Sequence, residues 1–439
     1  MKLFEKLRQQ IFWILDSVKG SPQKKDLLDV EFIIEHWGEQ SVNIKLNDYL
    51  NDILNYATDN IPYYKDYKGF KSIEDFPVIN KSIIKDRETD FCSPLYDKDK
   101  LYKQATSGST GTPFVVYQDS RKRLRGTSDT LFFSMLANYE LGTRLYFSRV
   151  WEKGSERSWF TCLKQNWRIH DSSNLSDSKL KDFINQLETD SSTKSIIMFA
   201  STLTALAKYI VREKIVPKCN VTSFITISEA LDPWTKETIE NIFNTNVFSR
   251  YSNQELGIMG QNPIGSNEFM LNVASFKIEL LDLNEDKPVK PGESGRVVVT
   301  DLFNKAMPLI RYDTGDVAVL RVKPFKGIKV PVFESVGGRR IDFIQDTLGK
   351  MVSPYIVVNP MHAYPEVRQF QFIQETSNEY TMLLNMFDGQ SYFRREKELE
   401  KTFKSFLGQD AVIRFKFVSE IPVLKSGKRK QVVNNYKSI

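Results

Sequence analysis

Histidine and cysteine are scarce in this chain, with three of each among 439 residues. Cys92, Cys162 and Cys219 lie far apart, as do His36, His170 and His362, and no pair has metal-ligand or disulfide-framework spacing. A zinc site does not fit that pattern, whereas a reducing cytoplasmic compartment does. Catalysis by a Cys–His pair or a Ser-His-Asp triad would need one of three isolated histidines to fall beside a nucleophile. No apolar run approaches the length of a membrane span, and no cleavable signal pattern is read at the start. A basic stripe with interleaved aromatics is also missing. Lys and Arg number 61 against 55 Asp and Glu, but the charges are interspersed, so a nucleic-acid partner is not expected.

What is present is the composition of an ordinary globular protein, 41% hydrophobic and 26% charged, long enough for two or three domains. The opening stretch MKLFEKLRQQIFWILDSVKG places Leu3, Leu7, Ile11, Ile14, Leu15 and Val18 near one helical face. Two readings are open there, a helix packed on its own domain and a peripheral membrane-surface helix. The compact basic run SRKRLRG, with Arg121, Lys122, Arg123 and Arg125, reads either as a solvated helix start or as a patch that draws in polyphosphate.

From about residue 47 to 138 helical segments alternate with loops. Within them, LYKQA and the β-prone PFVVYQD flank a loop in which every residue from Thr106 to Thr112 is Thr, Ser or Gly. That arrangement predicts a hairpin, and Walker spacing fails because no Lys-Ser or Lys-Thr follows. Farther on, STKSIIMFASTLTALAKYIVREK and VTSFITISEALDPWTKETIENIFNTNVFSRYSNQELG alternate strand with helix, the mark of a parallel sheet covered by helices. From Phe276 the texture becomes that of successive antiparallel strands. After ESVGGRRIDFI come two strands (FQFIQE, YTMLLNM), a helix around LEKTFKSFL and a further strand, AVIRFKFV. The expected fold is therefore α/β. A large N-terminal domain with helix-covered mixed sheets and a β-rich subdomain spans 1–338, and a small mobile α+β domain spans 339–439, with Gly337 and Gly338 as its hinge.

The loop carries the first chemical hint. Backbone N–H groups around Gly108 and Gly111, with the hydroxyls of Thr106, Ser107, Ser109 and Thr110, can wrap phosphate oxygens. A surface turn is the bland alternative. Four further motifs follow in order: SEALD at 228–232, RYSNQELG at 250–257, IRYDTGDVA at 310–318, and GGRRIDFI paired with LKSGKRK near the C-terminus. Taken one by one, Glu229 reads as a helix-start acid, Glu255 as a surface carboxylate, DTGD as a β-turn and KSGKRK as a basic tail.

Together the five motifs resemble the adenylate-forming superfamily, and within it the phenylacetate-CoA ligase branch and the CapK-type proteins of capsule biosynthesis. The resemblance implies a phosphate loop at Thr106, Ser107, Gly108, Ser109, Thr110 and Gly111, with Thr106 among the catalytic groups. Glu229 would lie beside the adenine and the acid, Tyr251 would offer the adenine an aromatic face, and Ser252 and Gln254 would line the nucleotide. Glu255 would ligate Mg²⁺, Asp316 and Arg339 would hold the ribose, and Lys428 would neutralise the α-phosphate as catalytic lysine. The chain departs from the family pattern at Thr112 (commonly Lys), Ser252 (commonly Gly), Gln254 (commonly Ser or Thr) and Ile341 (an acid or Lys at the hinge).

The implied activity is ATP- and Mg²⁺-dependent conversion of a small carboxylic acid to an acyl-adenylate in the cytoplasm. Transfer to an acceptor would follow, either coenzyme A or a sugar or carrier in surface-polysaccharide assembly. A catalytically degenerate nucleotide-binding protein and a nucleotidyl transferase are the alternatives, and a homodimer is left open. Phe147, Trp151 and Phe199 are candidates for the acid pocket or for plain core.

Overall fold

In the computed structural model, the structure describes residues 3–106, 114–149, 158–339, 344–352, 355–387, 392–421 and 430–436. The chain divides into two units, each made of two segments: 1–143 with 248–336, and 144–247 with 337–439. The first segment holds helices α1 (Leu3–Val18), α2 (Pro22–Glu35), α3 (Gln40–Asn60) and α4 (Lys81–Asp86), strands β1 (Tyr102–Thr106) and β2 (Phe114–Gln118), and helix α5 (Ser120–Leu136). The second holds β3 (Arg144–Arg149), α6 (Trp159–Gln165), β4 (Trp167–Asp171), α7 (Asp177–Thr189), β5 (Lys194–Phe199), α8 (Ala200–Glu213), β6 (Val221–Ile227) and α9 (Pro233–Phe243). Next come β7 (Asn246–Asn253), β8 (Gly257–Gln261), β9 (Phe269–Leu271), β10 (Phe276–Leu281), β11 (Ser294–Asp301), β12 (Tyr312–Phe325) and β13 (Ile328–Arg339). The last segment carries β14 (Ile344–Gln345), β15 (Met351–Val352), α10 (Tyr355–Val358), β16 (Val367–Gln374), β17 (Glu379–Met386), α11 (Glu396–Leu407), β18 (Val412–Phe417) and β19 (Val432–Asn434).

In the first unit the strands run in the order β10-β11-β12-β13-β9-β8-β7. Pairing is antiparallel at β10–β11 and β11–β12, as the texture after Phe276 foretold, and also at β13–β9, β8–β9 and β7–β8. A separate two-stranded ribbon, β1–β2, closes with Thr106 opposite Phe114, so the hairpin expected around the Ser/Thr/Gly loop is present at its root. The core gathers α2, α3 and α5 against this sheet through Val30, Ile33, Ile53, Phe133, Met259, Val299 and Phe333.

For Lys122 and Arg125 neither reading of the basic run holds, whereas Arg121 and Arg123 are exposed as a solvated helix start would have them. Lys122 and Arg125 stand three apart on the inward face of α5, and both are buried. Lys122 Nζ pairs with Asp301 at 2.7 Å. Arg125 donates to Asp29 (2.6 Å), to Ser275 Oγ (2.8 Å) and to the Ala274 carbonyl (2.7 Å). Arg121 pairs with Asp26, and Arg123 lies over the Tyr102 ring. Lys122, Arg125 and Arg121 thus neutralise buried or half-buried acids of their own unit.

The second unit has two apolar cores. One is a four-stranded parallel sheet, β6-β5-β3-β4. Its strand β5 is buried at all positions, which is why SIIMF reads as a continuous apolar run rather than an alternation. Leu180, Phe183 and Leu187 of α7, Leu203, Leu206 and Ile210 of α8, and Ile239 and Phe243 of α9 cover it. Helix α9 starts where its signals say: Pro233 occupies the first turn, and Asp232 accepts from the Thr235 N–H at 2.6 Å. The other core, over residues 344–432, packs α11 through Leu399, Phe403 and Leu407 onto the mixed sheet β18-β17-β16-β19. This is the α+β segment read from the sequence.

Candidate functional site

The root of the Ser/Thr/Gly loop touches the β7–β8 hairpin and the start of β12. Phe114, the first residue after the loop in β2, stacks on Tyr312 with ring centroids 6.3 Å apart. The Tyr312 hydroxyl donates to Glu255 Oε1 at 3.4 Å, and Gln118 Nε2 donates to the Glu255 carbonyl at 3.3 Å. Glu255 sits in the tight turn between β7 and β8. That turn is pinned by Asn253, whose side chain accepts the Leu256 N–H at 2.8 Å, and it is released into β8 by Gly257 at φ 105. The Glu255 side chain is 7% exposed, so a surface carboxylate is not what the fold makes of it.

A second link runs parallel to the first. Tyr251 donates its hydroxyl to Asp316 Oδ2 at 2.7 Å, with the Thr314 hydroxyl 3.5 Å away. Burial pushes the Tyr251 phenol well above its ordinary range, and the Asp316 charge adds to that, so it stays a donor throughout the neutral range. Tyr251 lies edge-on to Phe333 and Phe269, at 6.0 and 6.5 Å. Residues 251 and 255 on one hairpin are thus cross-linked to 316 and 312 on the other strand, each pair four positions apart.

The DTGD turn reading needs correction. The stretch lies inside β12 as an irregularity opposite Arg296 and Val298. Asp313 accepts the Gly315 N–H at 2.8 Å, Gly315 takes φ 79, and Thr314 Oγ1 accepts the Asp316 N–H at 3.2 Å. This local kink re-aims the Asp316 carboxylate, the usual effect of a bulge.

The other expected residues are distributed as follows. Ser252 lies half-buried in β7, beside the register shift of its pairing with β8, and Gln254 is exposed at the hairpin tip. Thr106 ends β1 and Arg339 ends β13. Glu229 belongs to the second unit, where its carboxylate accepts the Ser201 N–H at 2.8 Å at the start of α8. It is a helix-start acid, but of a different helix from its own. Ser107, Gly108, Ser109, Thr110, Gly111, Lys428, Trp151 and Ile341 lie outside the described residues. Phe199 is buried at the end of β5, and Phe147 is half-buried with its ring 6.0 Å from Trp167.

Sequence reasoning missed Lys81. At the start of α4 its ammonium lies 5.2 Å from the Phe114 ring centroid, at the loop root. The signal was available: Asn80 is a capping residue, accepting from the Ser82 and Ile83 N–H groups, and the helix it starts points a lysine back at the hairpin. A Ser–His contact also exists, Ser148 Oγ to His170 Nδ1 at 2.8 Å, but Ser148 is fully buried and the imidazole lies against Phe183. Burial lowers the His170 pKa to about 4, too weak a base to activate a hydroxyl.

Mg²⁺ keeps most of its waters and typically takes one or two carboxylates beside phosphate oxygens. Glu255, a single buried carboxylate with one oxygen held by Tyr312, fits one such ligand position. Among the described residues, no cluster of three or more His, Cys, Asp or Glu side chains could hold a metal independently of a nucleotide.

Comparison with known proteins gives a consistent picture. Residues 344–435 match the CapK C-terminal domain family. The chain is 23% identical to Protein CapK of Staphylococcus aureus over 359 residues, covering 77% of this chain and 76% of that protein. Among solved structures, 2-hydroxyisobutyryl-CoA ligase in the postadenylation state with 2-HIB-AMP superimposes with a TM-score of 0.72 at 16% identity, covering 90% of each chain. ATP-bound MatB from Rhodopseudomonas palustris gives 0.52 at 15% identity, covering 77% of this chain and 68% of MatB.

Proposed function

We propose that this chain, whose residues 344–435 match the CapK C-terminal domain family and whose fold resembles that of an acyl-CoA ligase, activates a carboxylic acid with ATP. A carboxylate oxygen attacks the α-phosphorus, the bond to the bridging oxygen of pyrophosphate breaks, and an acyl-adenylate remains. In-line displacement of this kind needs positioning and charge neutralisation more than proton transfer, so a chain poor in histidine is suited to it. The observation that carries the reading is that the loop root on the β1–β2 ribbon, Glu255 in the β7–β8 turn and the Tyr251–Asp316 pair lie side by side within the first unit.

In this reading the loop from Thr106 to Gly111 receives the phosphates, and Asp316, oriented by Tyr251, accepts the ribose hydroxyls. Glu229, Ser252, Gln254 and Arg339 complete the nucleotide contacts. Glu255 holds Mg²⁺, which when bound supplies charge to the phosphate oxygens. Lys428, on a small domain of residues 339–439 that rotates against 1–338, neutralises the α-phosphate. The acceptor then attacks the acyl carbonyl and AMP leaves. We take that acceptor to be a sugar or carrier in surface-polysaccharide assembly, in a cytoplasmic protein; coenzyme A is the second reading, since a neighbour in fold is a CoA ligase.

ATP–pyrophosphate exchange over a panel of acids tests the first step. Exchange should appear with one acid class and vanish in Lys428→Ala while ATP binding persists. Exchange with no acid, beside calorimetric ATP binding, would defeat the activity, and undiminished exchange in the variant would defeat the lysine's role. AMP release that depends on added coenzyme A would move the acceptor to the second reading.

A further inference from the structure

Helix α1 is amphipathic, but its apolar stripe does not face the protein. Leu3, Phe4, Leu7, Ile11, Ile14, Leu15 and Val18 are all exposed, Leu3 and Val18 each at 79%. Spaced at helical intervals, they fall within an arc of roughly 120° along a helix about 24 Å long. The two acids point the other way and are buried, Glu5 at 3% and Asp16 at 8% exposure. A surface helix normally has the reverse arrangement.

The orientation is fixed rather than incidental. Asp16 caps α2, accepting the Gln23 N–H at 2.9 Å and the Lys24 N–H at 3.0 Å. Phe12 and Trp13, on the face opposite the stripe, pack against the core of the first unit. Gly142 lets the α1 backbone approach so closely that a Cβ there would collide with the Glu5 carbonyl. Turning the apolar stripe inward would break the cap, withdraw both aromatics and expose nothing better.

The charge pattern identifies what covers the stripe. From Leu3 to Lys25 every exposed charged side chain is a cation: Lys6, Lys19, Lys24 and Lys25, with Arg8 half-exposed at the edge of the stripe. Lys6 borders the stripe on one side, and Arg8 and Lys19 border it on the other. An apolar arc between basic margins, with the acids turned away, suits a surface that is greasy inside and anionic outside. We propose that α1 is an in-plane anchor that docks the protein on an anionic lipid bilayer, its apolar side chains entering the acyl boundary and its lysines meeting the headgroups. No helix among the described residues is long and apolar enough to cross a membrane, so the contact is peripheral. This inference does not depend on the adenylation reading.

The test is vesicle co-sedimentation of the full chain. Phosphatidylcholine vesicles containing about 30% phosphatidylglycerol should bind it at least tenfold better than pure phosphatidylcholine at physiological salt, and raised salt should erode the difference. Leu7→Glu/Ile11→Glu/Ile14→Glu should abolish sedimentation while leaving circular dichroism, thermal midpoint and any ATP–pyrophosphate exchange unchanged. Lys6→Glu/Lys19→Glu/Lys24→Glu should bring anionic-vesicle binding down to the neutral-vesicle level. Sedimentation that survives the triple glutamate variant, or no sedimentation of the parent chain, overturns the proposal. So does a concentration-dependent dimer in lipid-free solution that the same variant dissociates, which would assign the stripe to a second copy.

Discussion

Replacing Lys122 by Met separates a structural cation from a ligand-binding one. Lys122 and Asp301 are 2% and 1% exposed, with Nζ and Oδ2 2.7 Å apart, and the ammonium also lies over the Phe276 ring at 4.6 Å. Removing the lysine leaves a carboxylate in the core with the Phe303 N–H (3.0 Å) bound to its other oxygen. Breaking a buried pair from one side costs about 3–5 kcal/mol, because the remaining charge is neither solvated nor matched. Lys122→Met/Asp301→Asn removes both charges and should recover most of that loss, since neutral replacement of a buried pair is often close to energetically even. Urea unfolding followed by tryptophan fluorescence would measure all four corners of the cycle, with an expected coupling energy above about 2 kcal/mol. The alternative, a lysine that attracts polyphosphate, makes the opposite forecast. If Lys122→Met unfolds within 1 kcal/mol of the parent and instead raises the KM for ATP tenfold, the burial argument fails.

Three further outcomes follow from the geometry. Tyr251→Phe deletes the hydroxyl that orients Asp316; a hydrogen bond to a charged group contributes about 1.5–3 kcal/mol, so ATP affinity by calorimetry should fall at least tenfold with little change in melting temperature, and unchanged affinity would remove Asp316 from the nucleotide site. His170, held near pKa 4 by burial, binds a proton in the unfolded chain near 6.5 but resists one when folded, so stability is lost as pH falls from about 6.5 to 4, by about 3 kcal/mol in all; His170→Gln should flatten that limb of a melting-temperature profile, and an unaltered profile would show that other groups set it. Lys81→Met should slow pyrophosphate exchange tenfold or more without altering the fold, a result that an equal rate in parent and variant would contradict.

Much of this was legible because the signals were local. The hairpin root at Thr106 and Phe114, the Asp232-Pro233 start of α9 and the buried run of β5 each follow from a few neighbouring residues. So does the α11 face of Leu399, Phe403 and Leu407. The misread features depend on partners far away in sequence. Whether Lys122 and Arg125 are solvated depends on Asp301, Asp29 and Ser275, which no window around residue 122 contains. DTGD has the composition of a turn, and only the pairing of β12 with β11 makes it a bulge. For α1 the stripe was plain but its direction was not, since the cap on α2 and the contact at Gly142 decide it. Motif order located Glu255, Tyr251 and Asp316; it did not reveal that Tyr312 and Tyr251 join them pairwise.

The distribution of charge explains why the proposed chemistry would recruit cations from outside the sheet. Within the first unit, Lys122, Arg125, Arg250, Arg296 and Arg311 are all buried, and each is bound to a fixed partner. Arg250 donates to Gln261 at 2.9 Å, Arg296 to Asp313 at 2.8 Å and Arg311 to the Phe76 carbonyl at 2.8 Å. Burial lowers the pKa of Arg250 to about 10, a sign of how little solvent reaches it. Redirecting any of these groups toward a phosphate would orphan the partner it leaves, at a cost comparable to the benefit. With Thr112 standing where a loop lysine is common, the proposed chemistry would draw on Lys81, beside the Phe114 ring, and on Lys428 of the KSGKRK segment. A cation delivered late also stabilises the transition state more than the bound substrate, which a permanently seated one cannot do as selectively. In the proposed chemistry these buried pairs keep the sheet's own cations in place, and the final neutralisation would fall to Lys81 and Lys428.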